Sequence, residues 1–293
     1  MRIFVTGASG WVGAELVSQL LDRGHEVLGL ARSDTAAQVV AGLGAEVLRG
    51  SLEEPALLAE AAARCDGVAH LAFDHDFSRY DEANALDRAA IAAMGEAMAG
   101  TAKALVVASG LTETPGRLST EADPPIPGFP RTPASDLTLE LAERGVRSCV
   151  LRLPPTVHGP GDHGFMAWIA AVAREQGQAL YPGDGGNHWA AVHRQDAGLL
   201  CALALESVEP GTVLQASGEE AITTKAIAEA LGARFGVPAI SVSPEECLER
   251  LGFVGMVFGR DVGASSAITQ QLLGWNPTGP GLLEDIASGC YDA

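Results

Sequence analysis

The chain has 293 residues, of which 47% are hydrophobic and 19% are charged, and its excess of acidic residues gives a formal net charge of −18. This composition is typical of a globular protein, and the length allows one large domain or two modest domains with a sizeable core. The negative charge argues against nucleic acids and anionic membranes as partners, because both would repel the protein.

The lack of a recognisable targeting signal and the isolated cysteines predict a cytoplasmic protein. Met1 is followed at once by an apolar run, which fits neither a signal peptide nor a transit peptide, and no apolar run reaches the roughly 20 residues of a membrane span. The five cysteines are isolated and lack metal-binding spacing, which predicts buried thiols and no metal site. Ala, Gly and Arg are abundant relative to Lys, which favours a GC-rich bacterial genome as the source.

The segment after the first apolar run predicts a dinucleotide site. Gly7 permits a tight turn off the first strand, Gly10 lets a pyrophosphate approach the backbone, and Gly13 lets the next helix pack close to the sheet. The amide groups at the start of that helix can then bind phosphates. This pattern is informative because it follows a predicted strand and opens a predicted helix; the alternative is a structural turn without a ligand.

The end of the second predicted strand indicates which dinucleotide binds. An NAD site usually places an acidic residue there, about 20 residues after the glycines, to bond the ribose 2′-hydroxyl. This chain has Ala31, Arg32 and Ser33 instead, and Asp34 comes later, in a helix-capping position. Arg32 can form a forked interaction with a 2′-phosphate and Ser33 can donate to it, which predicts NADP(H). The alternative is an Arg32 that stacks on the adenine or is solvated.

Strands and helices alternate over the first half of the chain. We predict strands over 2–5, 26–30, 45–48, 67–72, 104–108 and 147–152, and helices over 14–23, 34–41, 55–64, 81–99 and 132–144. Residues 113–130 form a Pro/Gly-rich loop that is too long for a simple connection, and such loops are usually functional or mobile. Such alternation indicates an α/β fold with a doubly wound, Rossmann-type parallel sheet, which binds ligands at the carboxyl ends of its strands.

The pattern changes after residue 153. A Pro/Gly-rich loop at 154–161 and a turn at 183–187 interrupt it, and we predict helices over 165–175, 196–206, 224–235, 244–251 and 265–273, with strands over 189–193 and 212–216. We therefore expect a dinucleotide-binding domain over 1–160, with its sheet completed by 188–217. Segments 161–187 and 218–293 would form a smaller, mostly helical C-terminal substrate lobe.

Four segments resemble extended short-chain dehydrogenases/reductases, the superfamily of nucleotide-sugar epimerases. They are 6–13, His-Leu-Ala at 70–72, 152–159, and Leu-Gly-Trp at 273–275, and together they extend over almost the full length. The resemblance implies that the cofactor site is kept. The cofactor contacts expected in this way are Gly7, Ser9, Gly10, Trp11, Val12, Gly13, Ala31, Arg32, Ser33, Leu52, Leu71, Ala72, Phe73, Ser109, Gly110, Pro154, Thr156 and Val157.

The chain departs from this superfamily at the catalytic residues. Members usually carry a Tyr-x-x-x-Lys pair, in which the lysine lowers the phenol pKa so that the tyrosine can donate a proton. No such pair exists here, because Thr132 and Asp136 occupy the two places, and Gly110 stands where the partner serine is usual. The chain therefore resembles the atypical branch that lacks the usual catalytic set.

Ser109, Thr112 and His158 are the catalytic candidates that remain at predicted strand ends. The two hydroxyls can hydrogen-bond a carbonyl or a water, although they could equally cap the turn after the strand. His158 is a candidate proton donor because histidine side chains exchange protons near neutral pH, and the alternative is a bond to a backbone carbonyl within its loop. Residues 74–76 (Asp-His-Asp) are a further acid–base candidate, whereas His70 fits a hydrogen-bonded core histidine.

These observations predict an NADP(H)-dependent reductase of a small, largely apolar metabolite that carries an enone, quinone, imine or ketone. The scarcity of basic residues after residue 160 disfavours a nucleotide-sugar substrate. The alternatives are a non-catalytic NADP(H) sensor and a redox-neutral isomerase or cyclase. We expect a monomer or a homodimer, since helices 81–99 and 132–144 resemble those that pair in superfamily dimers. The side chains that could line an apolar pocket are Phe165, Met166, Trp168, Trp189, Phe253 and Phe258.

Overall fold

The computed structural model describes residues 1–75 and 79–292, and within them strands and helices alternate over most of the chain. The strands are β1 (Arg2–Thr6), β2 (Glu26–Ala31), β3 (Glu46–Arg49), β4 (Gly67–His70), β5 (Ala104–Gly110), β6 (Arg147–Leu153), β7 (Thr156–His158), β8 (Ala179–Pro182), β9 (His188–His193), β10 (Thr212–Gln215), β11 (Glu219–Thr223) and β12 (Ala239–Val242). The helices are α1 (Trp11–Asp22), α2 (Asp34–Gly42), α3 (Pro55–Arg64), α4 (Tyr80–Met98), α5 (Thr132–Glu140), α6 (Phe165–Gln176), α7 (Arg194–Ser207), α8 (Thr224–Phe235), α9 (Pro244–Leu251), α10 (Phe253–Phe258), α11 (Ala267–Leu273) and α12 (Leu282–Ser288).

A seven-stranded parallel sheet forms the centre of the described structure, in the order β10-β6-β5-β4-β1-β2-β3. The strand order reverses between β1 and β4, which is the point where doubly wound sheets bind ligands. This arrangement confirms the predicted Rossmann-type fold. The strands are apolar along nearly their whole length because helices cover both faces of the sheet.

Two separate cores hold the helices against this sheet. On one face, α1 and α7 pack together, and Leu16, Val17 and Leu200 are fully buried there. On the other face α3, α4 and α5 cover the sheet, with Leu58 and Ile91 at the centre of the contact. No helix in the described ranges is both long enough and apolar enough to cross a bilayer.

The C-terminal part has a core of its own around α6, α8, α9 and α10. It also contains two small sheets, β11-β9-β7 and β12-β8, which the sequence did not predict apart from β9. β9 was expected in the large sheet, and that expectation is wrong because β9 pairs with β7 and β11 instead. Helices α10 and α12 were also missed. The predicted helix over 132–144 ends at Glu140 and continues as a 3-10 turn over Leu141–Arg144.

The turn between β1 and α1 depends on two glycines. Gly7 has a φ of 70°, and a Cβ atom there would lie 2.8 Å from the amide nitrogen of Ala72. A Cβ atom on Gly13 would lie 2.0 Å from the carbonyl oxygen of Gly7, which is an impossible contact. The Gly10 amide also donates to this oxygen, at 2.8 Å. The first turn of α1 is therefore fixed directly against the end of β1.

We expect Gly13→Ala to destabilise the protein by roughly 1–3 kcal/mol, the usual cost of overpacking, because α1 must move away from β1. Urea denaturation measures this change. Gly42→Ala is the matched control, because a Cβ atom at Gly42 would meet nothing within 4 Å, and its free energy of unfolding should stay constant or rise slightly. Equal stability of the two variants would show that the contact at Gly13 does not constrain the turn.

Candidate active site

A cleft of about 1260 Å³ runs along the carboxyl ends of the central strands. Typical pockets for one drug-sized ligand have about 300–1,000 Å³, so this cleft can hold a dinucleotide and a second molecule. Its walls come from the segments after β1, β2, β4, β5 and β6 and from α6 and α10. The predicted cofactor residues that line it are Gly7, Ser9, Gly10, Trp11, Val12, Gly13, Arg32, Leu52, Leu71, Ala72, Phe73, Ser109, Gly110, Pro154, Thr156 and Val157.

The start of α1 forms the middle of the cleft. The first amides of a helix have no intrahelical acceptor, and here the residues from Gly10 to Gly13 line the cleft. The Trp11 indole nitrogen donates to the carbonyl oxygen of Val157 at 2.7 Å. The Arg194 guanidinium lies 4.1 Å above the Trp11 ring, and His163 contacts its edge. Trp11 therefore ties the helix start to the segment that follows β6.

One end of the cleft lies at the end of β2, where Arg32 is exposed on the wall. Ala31 and Ser33 were expected to contact the cofactor, and this expectation is corrected because neither residue lines the cleft. Ala31 is buried in the sheet, and the Ser33 hydroxyl accepts from the Ala36 amide as the cap of α2. Asp34 points into solvent and pairs with Arg49 at 2.9 Å.

Ser109 is the only one of the three catalytic candidates that lines the cleft. Its Oγ lies 3.0 Å from Oγ of Ser135 on α5. Thr112 is buried and donates to the carbonyl oxygen of Pro124 at 2.9 Å, so its expected catalytic role is corrected to a structural one. Thr132, at the place of the usual tyrosine, donates to the Ile126 carbonyl oxygen, and Asp136 is exposed on α5.

His158 lies behind the cleft wall and is fully buried. Its Nδ1 is 2.7 Å from Oδ2 of Asp285 on α12, and its Nε2 is 3.7 Å from Oε2 of Glu219. The expected role as a proton donor is therefore corrected: the imidazole joins β7 to α12 and has no access to a bound substrate.

A second buried histidine, His70, connects the glycine turn with α4. Its Nδ1 lies 2.8 Å from Oγ1 of Thr6, and its Nε2 lies 3.1 Å from Oδ1 of Asp87. The Thr6 hydroxyl oxygen also accepts from the Ala72 amide at 3.2 Å. The His70 ring therefore has a partner on each nitrogen, as expected for a core histidine.

Sequence reasoning missed Arg131, which lies in the cleft wall at the ends of β4 and β5. Its guanidinium lies 4.1 Å above the Phe73 ring, and its Nη2 donates to the Ala108 carbonyl oxygen at 2.8 Å. Nearby, burial raises the pKa of the Tyr80 phenol, against the opposite effect of the Arg131 charge. The sequence offered one signal for Arg131: it directly precedes Thr132, which stands where the superfamily usually has its catalytic tyrosine. Asp76, the last residue of the acid–base candidate 74–76, lies outside the described residues.

The other end of the cleft has an apolar wall, which we define as Phe165, Met166, Trp168 and Phe253. All four were expected in an apolar pocket. Trp189 and Phe258 were expected there as well, but they are fully buried and pack against each other in the C-terminal core, with ring centroids 4.9 Å apart. Arg260 also borders this end, paired with Glu113.

The sequence profile of the NAD dependent epimerase/dehydratase family matches residues 3–216. The chain belongs to this family. The predicted relation to extended short-chain dehydrogenases/reductases is thereby confirmed. A UDP-glucose 4-epimerase from Thermotoga maritima, solved with UDP-glucose, has the same fold: it superposes with a TM-score of 0.80 over 100% of this chain and 98% of that chain, at 19% identity.

Several relatives match most of the chain. Uncharacterised proteins of Schizosaccharomyces pombe and Saccharomyces cerevisiae are 46% and 38% identical, covering 99% and 98% of this chain and 100% and 98% of their own lengths. A 2-alkyl-3-oxoalkanoate reductase of Stenotrophomonas maltophilia is 28% identical over 82% of this chain and 77% of its own length. The yeast relatives contradict the prediction of a bacterial source, which was wrong because composition follows the base content of a genome and not its lineage.

We expect His158→Phe to destabilise the protein by about 3 kcal/mol in urea denaturation, because it leaves the Asp285 carboxylate buried without its partner. NADPH affinity should be unchanged. His158→Phe combined with Asp285→Leu is the matched control and should recover part of the loss, since no buried charge remains. A normal free energy of unfolding for the single variant, together with impaired turnover, would contradict this structural role.

Proposed function

We propose that this protein is an NADP(H)-dependent reductase of a small, largely apolar metabolite that carries a ketone, enone, quinone or imine. The observation that carries the proposal is the contrast between the two ends of one cleft. Arg32 and the glycine turn border one end, and the apolar wall borders the other. Such a cleft suits a charged cofactor and an apolar substrate that bind end to end.

The residues around the glycine turn fit a nicotinamide dinucleotide. Gly10, Trp11, Val12 and Gly13 line the cleft, and the amides of Trp11 and Val12 would bind the pyrophosphate. Leu71, Phe73 and Pro154 border the part of the cleft that would take the nicotinamide. When bound, this cofactor supplies the hydride, and the protein supplies position and electrostatics.

The choice of NADP(H) over NAD(H) rests on the end of β2. The family is described by its dependence on NAD, but here the cleft wall carries Arg32 where an acidic residue would bond the ribose 2′-hydroxyl. The nearest carboxylate along the chain, Asp34, is turned away and paired with Arg49. A guanidinium in this position favours a 2′-phosphate because the two groups match in charge and in geometry.

The substrate end supports an apolar ligand. The apolar wall offers aromatic and thioether surface, and Val254, Met256, Val257 and Val262 extend that surface. The charge of Arg260 is already paired with Glu113, so this residue is poorly suited to hold a diphosphate. The relative from Stenotrophomonas maltophilia is named a reductase of 2-alkyl-3-oxoalkanoates, which are alkyl-bearing ketones, and this name agrees with a substrate of that kind.

Ser109 is the hydroxyl placed to contact the reacting group. It lies in the cleft wall beside Phe73 and Gly110, and the contact with Ser135 orients its Oγ. The usual tyrosine is replaced by Thr132, whose hydroxyl donates to the Ile126 carbonyl oxygen. Ser109 would therefore hydrogen-bond the substrate oxygen, and water would provide the proton. Measurable turnover distinguishes this reductase from a non-catalytic sensor.

If Arg32 binds the 2′-phosphate, Arg32→Ala should weaken NADPH binding by roughly 10-fold or more, the effect of a lost charged hydrogen bond. Fluorescence titration measures the Kd for NADPH and NADH. The Kd for NADH should hardly change, and Arg64→Ala, which removes an arginine from the exposed end of α3, should leave both values as in the wild type. Equal losses of NADPH and NADH affinity in Arg32→Ala would refute the assignment.

A panel of medium-chain ketones, enones, quinones and cyclic imines, followed by NADPH absorbance, tests the reaction. For a substrate found in this way, Ser109→Ala should lower kcat/KM by roughly 10-fold or more, because a donor to the reacting oxygen is lost. Thr112→Val should leave kcat/KM unchanged, since that hydroxyl bonds a backbone carbonyl outside the cleft. The reverse ranking of the two variants would remove Ser109 from the site.

A further inference from the structure

Arg131 is held rigidly in the wall of the cleft. Only 15% of its side chain is exposed, and the guanidinium lies between the Phe73 ring and the end of β5. Its Nη2 donates to the carbonyl oxygen of Ala108 and lies 3.6 Å from Oδ2 of Asp87, a carboxylate that is almost completely buried. Asp87 in turn contacts His70, at 3.1 Å. These contacts fix the cation at the carboxyl ends of β4 and β5.

Part of this guanidinium has no hydrogen-bond acceptor among the described residues. Within the described residues, Nε is buried without a partner, and none of the hydrogen bonds made by Arg131 uses Nη1. Oδ2 of Asp87 is also buried without a hydrogen bond, since 3.6 Å is too long for one. Leaving a buried charged donor unpaired costs more than leaving a neutral one, so this arrangement favours a ligand that brings an acceptor oxygen.

The surroundings of Arg131 indicate which ligand brings that oxygen. The pyrophosphate site is at the start of α1, whereas Arg131 shares its part of the wall with Phe73, Tyr80 and Ser109. That part of the cleft is where the proposed function places the reacting group. Only 15% of the Arg131 side chain is exposed, and a cation with so little solvent contact interacts more strongly with a negatively charged oxygen than an exposed cation does.

We infer that Arg131 is the oxyanion-binding residue of the substrate end. Its guanidinium would donate to the substrate oxygen on which negative charge collects, and so provide the electrostatic stabilisation that the usual tyrosine and lysine cannot provide in this chain. The inference rests on the proposed function. Asp87 and Phe73 are positioning residues, because they hold the guanidinium in place before the substrate binds.

Binding of a stable oxyanion tests this role without any turnover. Sodium decanoate combines a carboxylate with an apolar chain, and decanol is its uncharged counterpart. Calorimetric titrations with both probes are made on the NADPH-loaded and on the NADPH-free protein. The test variant combines Arg131→Met with Asp87→Asn, so that no unpaired buried carboxylate remains. The matched control combines Arg260→Met with Glu113→Gln, which removes the other ion pair at the cleft in the same way.

Decanoate affinity should fall at least 10-fold in the Arg131 variant and stay within about twofold in the Arg260 control, the effect of one lost charge-assisted bond. Decanol affinity and the Kd for NADPH should not change. Asp87→Asn alone should strengthen decanoate binding, because a neutral amide no longer offsets the positive charge of the guanidinium, and this variant decides the matter if the double variant does not fold.

Two results would overturn the inference. Equal decanoate affinity in the wild type, the Arg131 double variant and Asp87→Asn would make Arg131 a structural residue. A weaker Kd for NADPH with unchanged decanoate affinity would make it a cofactor contact. If the wild type binds no NADPH, the proposed function fails, but the titrations of the NADPH-free protein still decide the role of Arg131.

Discussion

The close approach of Gly13 to the Gly7 carbonyl oxygen determines where the other parts of the site lie. Because no Cβ atom fits between them, α1 begins close to the end of β1, and its first residues line the cleft. Trp11, one residue into the helix, then reaches the carbonyl oxygen of Val157. The position of the segment after β6, which leads to the apolar wall, therefore depends on a close approach of two backbones.

Individual charges at the cleft matter more for anion binding than the net charge of the whole chain. A chain with a net charge of −18 repels anions at long range, yet the proposed cofactor phosphate and the proposed oxyanion both need positive charge. The cleft offers it through Arg32 at the end of β2 and through Arg131 at the ends of β4 and β5, each on a different wall segment. Most other arginines of the described chain are paired with carboxylates at the surface, as Arg23 is with Glu206, and so contribute little to the cleft.

The sequence predicted the features that depend on local patterns. The β1–α1–β2 unit follows from hydrophobic periodicity and turn residues within a short stretch, and the alternation of strands and helices indicated the doubly wound parallel sheet. The missed strands depend on distant partners: β8 pairs with β12, and β7 pairs with β9. The role of His158 likewise depends on a distant partner, the carboxylate of Asp285, which lies 127 residues further along the chain. Arg131 belongs to no motif, and only its neighbours in space distinguish it from a surface arginine.

One contact made late in the chain has a consequence for biosynthesis. The Tyr291 hydroxyl donates to Oδ2 of Asp162 at 2.9 Å, and Asp162 borders the cleft and also accepts from the Gly164 amide. Domains generally begin to fold as they leave the ribosome, and the strands of the glycine turn emerge first. The loop around Asp162 stays without this support until residue 291 has been translated. A nascent chain can therefore form the glycine turn early, whereas the part of the cleft around Asp162 gains its contact with Tyr291 only later.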